Sequence, residues 1–147
     1  MLSVQSVAEF IIQESERVSN LKLQKLLYYV QGWHLGIKGS PLYNGRLEAW
    51  VHGPVVPEMF QLYRVHRWQT IPKPDSRVIL TATEEIHIKS VLKVYGKYAA
   101  DQLERMSHET KPWIDARGGV PEHTLSSSLI SNESMRVYFA ERAKAKA

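Results

Sequence analysis

Residues 21–38 read LKLQKLLYYVQGWHLGIK, and this stretch constrains the fold more than any other. On a 3.6-residue period Leu23, Leu26, Leu27, Val30, Trp33, His34 and Ile37 share one face. Leu21, Tyr28 and Leu35 fall on a neighbouring face. Lys22, Gln24, Lys25 and Gln31 are too few to coat a side that faces solvent. A helix that is apolar nearly all round is a buried one. The same polar residues interrupt any apolar run long enough to span a bilayer. The stretch therefore predicts the central helix of a soluble domain, with no membrane association.

Gly32 lies inside that helix. A mid-helix glycine costs about 1 kcal/mol against alanine. Two readings stand: a neighbouring backbone approaches closely there, or the glycine is a harmless weak point. The first is the favoured one.

A length of 147 residues predicts one domain, with 44% hydrophobic and 23% charged residues giving an ordinary globular core. There are no cysteines, which excludes disulfides and thiolate zinc sites and fits an intracellular setting without proving one; a cytoplasmic location is the expectation. MLSVQSVAEF lacks the basic and apolar regions of a signal peptide. A net charge of +4 favours an acidic partner or weak nucleic-acid contact and demonstrates neither.

Ahead of the central helix, Val4, Val7, Ala8, Ile11 and Ile12 recur at helical spacing, with Ser3 as N-cap. This first helix is expected to end near Ser15–Val18, with Ser19-Asn20 as a turn and cap. After the central helix, Leu47, Ala49 and Val51 alternate with Glu48, Trp50 and His52, the pattern of a short strand. His52-Gly53-Pro54 is expected to stop it. Pro57 opens the next helix, lined by Met59, Leu62, Tyr63 and His66. Arg77–Leu80 is a candidate second strand to pair with Leu47–Val51. Thr81 and Glu84 have capping-box spacing and open a helix carrying Ile86, Ile88, Val91, Leu92 and Tyr95, with Gly96 as the point where it is interrupted. Ala99–Ser107 and the turn at Pro112-Trp113 are short helices. Gly118–Ser128 is expected to be a mobile loop. Ser131 caps a last helix carrying Met135, Tyr138 and Phe139, and the terminal AKAKA is expected to fray. The fold class is mainly α: a compact helical domain around the buried helix at about 21–37, with a small two- or three-stranded antiparallel sheet insertion.

Chemistry is sparse. No HExxH, GxSxG, P-loop or GxGxxG occurs. His108-Glu109 and the Glu48/His52 pair would need distant help to bind a metal, so no metal site or cofactor is expected. His34 sits on an apolar face, where a hydrogen-bonded core histidine outweighs a ligand. Glu84-Glu85 suits a positive helix N-terminus better than acid–base work. Arg64, Arg67 and Lys73 could form a basic patch with Trp68, but the basic residues are otherwise dispersed, which disfavours nucleic acid. Lys25, among leucines, is expected either to extend its ammonium to solvent or to pair with Glu48 or Glu58.

LQKLLYYVQGWHL (Leu23–Leu35) followed by PLYNGRLEAWVHGPVVPEMF (Pro41–Phe60) resembles the Panacea antitoxin domain, also called the SocA-like or GepA-like phage-associated family. The matching residues are Lys25, Leu26, Leu27 and Tyr28, then Gln31, Gly32, Trp33, His34 and Leu35. They continue with Pro41-Leu42, with Glu48, Ala49 and Trp50, and with Gly53, Pro54 and Val55. LERMSHETKPW, ending on Trp113, is similar to the family's later signature. The resemblance implies a mostly helical fold and membership of a toxin–antitoxin pair. It implies neutralisation of a cognate protein toxin, by direct binding or as an adaptor to a protease of the AAA+ class. No catalytic residue carries over. Lys25, Tyr28, Gln31, Gly32, Trp33, His34, Glu48, Gly53, Pro54 and Trp113 are expected to be structural.

Partner contacts are expected from Trp50, His52, Tyr63 and Trp68, since aromatic residues and arginine dominate interface hot spots. The alternative function is a nucleic-acid-binding prophage regulator without enzymatic activity, and a remaining one is an enzyme using the histidines.

Overall fold

The computed structural model describes residues 1–146. Among the described residues, six α-helices surround the second of seven, and two small sheets are inserted between them. Helix α1 (Val4–Glu14) starts where the Ser3 hydroxyl accepts the Ser6 amide. Its last carbonyls are capped from outside, with Lys73 Nζ donating to Ile12 O at 2.9 Å and to Ser15 O. Helix α2 (Asn20–Lys38) is the central one, with Ser19 at its N-cap and Gly39 in the left-handed conformation at its end. Thirteen of its residues are buried, Gln24, Lys25 and Gln31 among them. Ile37, expected inward, is 59% exposed.

The polar groups of α2 fasten the remaining elements to it. A buried polar group must find a partner, and here each partner lies in a different segment. Asn20 Nδ2 donates to Phe60 O at 3.1 Å. Gln24 Oε1 accepts the Val56 amide at 2.9 Å. Tyr28 donates to Thr110 Oγ1 at 2.7 Å, since that hydroxyl itself donates to Ser107 O. Gln31 donates to Tyr43 O and accepts the Leu42 amide, at 2.8 and 2.9 Å. Trp33 Nε1 donates to Tyr95 OH at 2.9 Å.

Strands β1 (Leu2–Ser3) and β2 (Tyr43–Asn44) form a parallel pair. The second sheet is antiparallel, with β3 (Leu47–Trp50) between β4 (Gly53–Val55) and β5 (Leu129–Ile130). Leu47 and Ala49 are buried while Glu48 and Trp50 are half-exposed, as alternation predicts. Strand β3 stops at Trp50, ahead of His52-Gly53-Pro54. The chain then turns at Val51-His52 and pairs back on itself, Trp50 opposite Gly53 and Glu48 opposite Val55, a return strand the sequence pattern does not announce. Gly53 makes the return with φ 98°, and Pro54, lacking an amide, is tolerated because β4 is an edge strand. Arg77–Leu80 is not a strand: the Val78 amide donates instead to Gln13 Oε1 at 2.7 Å, tying the segment to α1. The third strand comes from Leu129–Ile130, just beyond the expected loop.

Pro57 opens helix α3 (Pro57–Tyr63), which tightens into a 3-10 turn at Arg64–His66. Helix α4 (Ala82–Tyr95) carries the capping box between Thr81 and Glu84. Its inward residues are His87, Ile88, Val91 and Tyr95, whereas Ile86 is 65% exposed. His87 occupies the buried side because its Nε2 donates to Val30 O at 2.9 Å. Helices α5 (Ala100–His108) and α6 (Lys111–Ala116) follow. Helix α7 (Asn132–Lys146) does not fray at 143–146 as expected; Lys146 Nζ lies 4.8 Å from the centre of the Trp33 ring. Ala147, the last residue of that expected tail, lies outside the described residues.

Helix α7 crosses α2 at two glycines, Gly32 and Gly36. A Cβ on Gly32 would fall 2.2 Å from the Phe139 ring, and one on Gly36 would fall 2.5 Å from the Phe139 backbone. The spacing of four residues puts both glycines on one face, which lets the second helix approach closely. Phe139 is buried there between Trp33 and Tyr28, with ring centres 5.2 and 5.9 Å away.

Candidate functional site

The residues of the sequence signature lie mostly inside. Lys25, Tyr28, Gln31, Gly32, Trp33, Gly53, Pro54 and Trp113 are buried, and only His34 and Glu48 are half-exposed. His34 Nδ1 donates to Ser40 O at 2.5 Å, and its ring meets the edge of His87. Trp113 Nε1 donates to Trp50 O at 2.9 Å, locking α6 to β3. The Trp113 ring is covered on both sides, by the stacked His108 ring at 4.1 Å and by the Arg117 guanidinium at 4.8 Å.

Lys25 follows neither expected arrangement. It is 1% exposed, so it does not reach solvent. Its Nζ donates to Pro54 O at 3.1 Å, under a position where any Cβ on Gly53 would collide with Lys25 Cε. Among the described residues it makes no ion pair with Glu48 or Glu58; Glu48 instead holds Arg46 at 2.7 Å and accepts Trp50 Nε1 at 2.9 Å. Burial pulls the Lys25 pKa down to about 7, and the charge of Glu104 resists part of that shift.

Apart from the edge contact of His34 with His87, the histidines lie on separate elements. His52 is at the hairpin turn, 3.3 Å from Glu104 rather than beside Glu48. His108 Nδ1 lies 3.2 Å from Glu122, beside a cleft of about 460 Å³ that Arg105, Glu109 and Ile114 help to line. The pKa of His87 is lowered by burial, the bond to Val30 O opposing it. Among the described residues no group of three or more His, Cys, Asp or Glu could hold a metal ion. None of their helices is long and apolar enough to cross a membrane.

The four residues picked for partner contact fall in three places. Trp68 is the most exposed aromatic, at 74%. Trp50 is half-covered, its ring edge-on to Phe60 with centres 5.2 Å apart. His52 is exposed at the tip beside Trp50. Tyr63 is half-buried and packs on the core; burial, with the charge of Glu9 adding to it, pushes its hydroxyl pKa up to about 12.

Sequence reasoning missed what connects Trp50 to Trp68. A shallow pocket joins Trp50, Val51 and His52 to Leu125, which is 88% exposed. A second joins Phe60 to Leu21, Arg64, Arg67 and Trp68. The contact of Trp50 with Phe60 links the two pockets, so Leu125, Trp50, Phe60 and Trp68 form an apolar stripe across the hairpin and α3. Apolar surface rimmed by polar residues, here Ser126, Ser127, Arg64 and Arg67, marks an interaction surface. Lys73, grouped with Arg64 and Arg67 from the sequence, is not part of it; it caps α1. Leu125 and Phe60 carried no sequence signal, because exposure of a lone apolar residue in a loop or helix cannot be read from periodicity.

Comparison with known proteins gives this arrangement a family. Residues 23–114 match the family described as Antitoxin SocA-like, Panacea domain. The match runs from the body of α2 through the hairpin to the Trp113 signature, and leaves α1 and α7 outside it. The chain is 37% identical over 109 residues to Antitoxin SocA of Caulobacter vibrioides (strain NA1000 / CB15N). That alignment covers 65% of this chain and 58% of the relative, so the chain spans less than two thirds of the relative's length. No solved structure matches. With its signature residues buried as fasteners between α2 and its neighbours, the chain belongs to the SocA-like, Panacea-domain antitoxin family.

Proposed function

We propose that the protein is an antitoxin that neutralises a cognate protein toxin in the cytoplasm by binding it directly, without catalysing a reaction. The observation that carries this reading is a division of labour among the residues. The signature side chains hold helices and hairpin together, while the stripe of exposed Leu125, half-covered Trp50 and Phe60, and exposed Trp68 serves no such internal role. Trp50, His52 and Trp68 are the residues assigned to the toxin contact. Tyr63 is left out of it, because its ring is turned to the core.

The test is expression of the protein encoded by the neighbouring gene, alone and with this chain. Growth arrest relieved by co-expression supports the reading. Relief that persists in cells lacking AAA+ proteases supports occlusion; relief that vanishes there supports delivery to a protease. A neighbour that is harmless alone contradicts the antitoxin reading. Binding of the purified chain to its own promoter DNA at low salt, with no effect on the neighbour, would favour the regulator.

A further inference from the structure

We propose that the groove between the start of α2 and the end of α3 recognises an acidic, apolar-anchored segment of the toxin. This deepens the antitoxin reading and rests on it. The groove is about 250 Å³ and is lined by Asn20, Leu21, Phe60, Arg64, Arg67 and Trp68. Its floor is fixed in advance: Asn20, 3% exposed, donates to Phe60 O and accepts Gln24 Nε2 at 2.9 Å. A floor set before binding lowers the ordering cost of a complex.

Its rim is positive. Arg64 and Arg67 are both exposed, and among the described residues neither guanidinium makes an ion pair or a side-chain hydrogen bond. No acidic residue lines the groove. Unpaired guanidiniums beside an open tryptophan suit a carboxylate on a segment whose apolar side chain lies against the indole. Arg67 also has φ 55°, the one non-glycine residue with positive φ among the described residues. Such strain is found where function sets the backbone. Here it holds a long cationic side chain at a corner where glycine would relax the chain, immediately before Trp68.

The same residue types can bind nucleic acid, but the surroundings favour protein. A phosphate track needs a row of free cations. No lysine lines the groove; Lys22 Nζ is engaged on Gly96 O at 2.6 Å and Lys73 Nζ on the end of α1. Two free cations over a groove of side-chain size read one or two carboxylates, not a duplex.

The experiment titrates the full chain with the purified product of the neighbouring gene at 50 and 300 mM NaCl, and separately with a 20-bp duplex. The expected wild-type result is tight binding to the protein that weakens at the higher salt, and no duplex binding. R64E/R67E is expected to weaken protein binding by about tenfold or more and to remove its salt dependence. Arg67→Gly relieves the strained φ, so it is expected to keep or raise the melting temperature while weakening binding. That pairing separates a contact residue from a fold residue and keeps the test decisive if the double variant misfolds. Wild-type affinity in R64E/R67E and Arg67→Gly overturns the groove assignment and leaves the antitoxin reading standing. Duplex binding abolished by R64E/R67E overturns it in favour of nucleic acid. Failure of the wild type to bind or neutralise the neighbour removes the antitoxin reading, and this inference with it.

Discussion

Gly36 lies directly against the main chain of Phe139: a Cβ on it would come within 2.5 Å of the Phe139 carbonyl carbon and 2.7 Å of the Ala140 nitrogen. Gly32, one turn earlier, faces only the ring of the same residue. The difference sets an order of mutational cost. Backbone cannot rotate away from an added methyl, whereas a ring can shift. Gly36→Ala is therefore expected to destabilise by about 2–3 kcal/mol, the upper part of the overpacking range. Gly32→Ala is expected to cost less, and Phe139→Leu in the same chain should recover part of that loss but none of the Gly36→Ala loss. Chemical denaturation of the four variants checks this.

Lys25 gives the fold an unusual pH dependence. Its folded pKa of about 7 lies below the ordinary 10.5, so between those values the unfolded chain holds a proton that the folded chain has lost. Stability from this group therefore rises with pH from about 7, at up to about 1.4 kcal/mol per unit. Below 7 both states are protonated and the contribution is flat. Burial pushes the hydroxyls of Tyr28, Tyr29 and Tyr43 the other way, above their ordinary 10.0. Their stabilisation is lost as pH climbs past 10, so the window for Lys25 is about pH 7 to 9.5. Lys25→Met is expected to flatten the stability–pH curve in that window and to raise stability most near pH 7. Thermal melts across the range measure it; an unchanged slope refutes the assignment.

Arg117 organises the segment after α6. The residue is 4% exposed, and its guanidinium donates to the carbonyls of Ala49, Pro121, Glu122 and Thr124. Arg117→Met leaves those acceptors unsatisfied and uncovers one face of Trp113. The expected cost is about 3 kcal/mol. Hydrogen exchange should locate the loss, with protection falling in residues 118–130 and in β3 and little changed along the α2–α7 crossing.

Much of this was legible in the sequence, and the parts that were not have physical causes. Helix α2 is readable because burial on every side leaves an apolar pattern with no polar face, and the capping residues Ser3, Ser19 and Thr81 are local signals that tertiary structure did not override. The return strand Gly53–Val55 is hidden because its Gly-Pro start is the usual sign of a stop; only the edge position makes the proline acceptable. Arg77–Leu80 has strand composition, but its backbone partner is a glutamine side chain on α1, which no pattern in the segment encodes. Gly36 could have been found: its four-residue spacing from Gly32 is the mark of a close helix crossing. Trp50 and Trp68 were legible as exposed candidates, yet the stripe joining them depends on Phe60 and Leu125, whose proximity exists only in the folded chain.

The surface residues should be separable from the interior ones by stability alone. Gln31→Leu removes a side chain that bonds the main chain of Leu42 and Tyr43, and it is expected to lower stability by about 2 kcal/mol or more. Any loss of toxin binding in that variant should track its unfolded fraction and disappear when the measurement is made well below the melting temperature.

The most direct measurement is the affinity of the neighbouring gene's product for W50A/W68A, taken together with the melting temperature of that variant. The expected result is a Kd raised by about thirtyfold or more with a melting temperature within about 3 °C of the wild type. An unchanged Kd in that folded variant would contradict the assignment of the exposed stripe as the surface that grips the toxin.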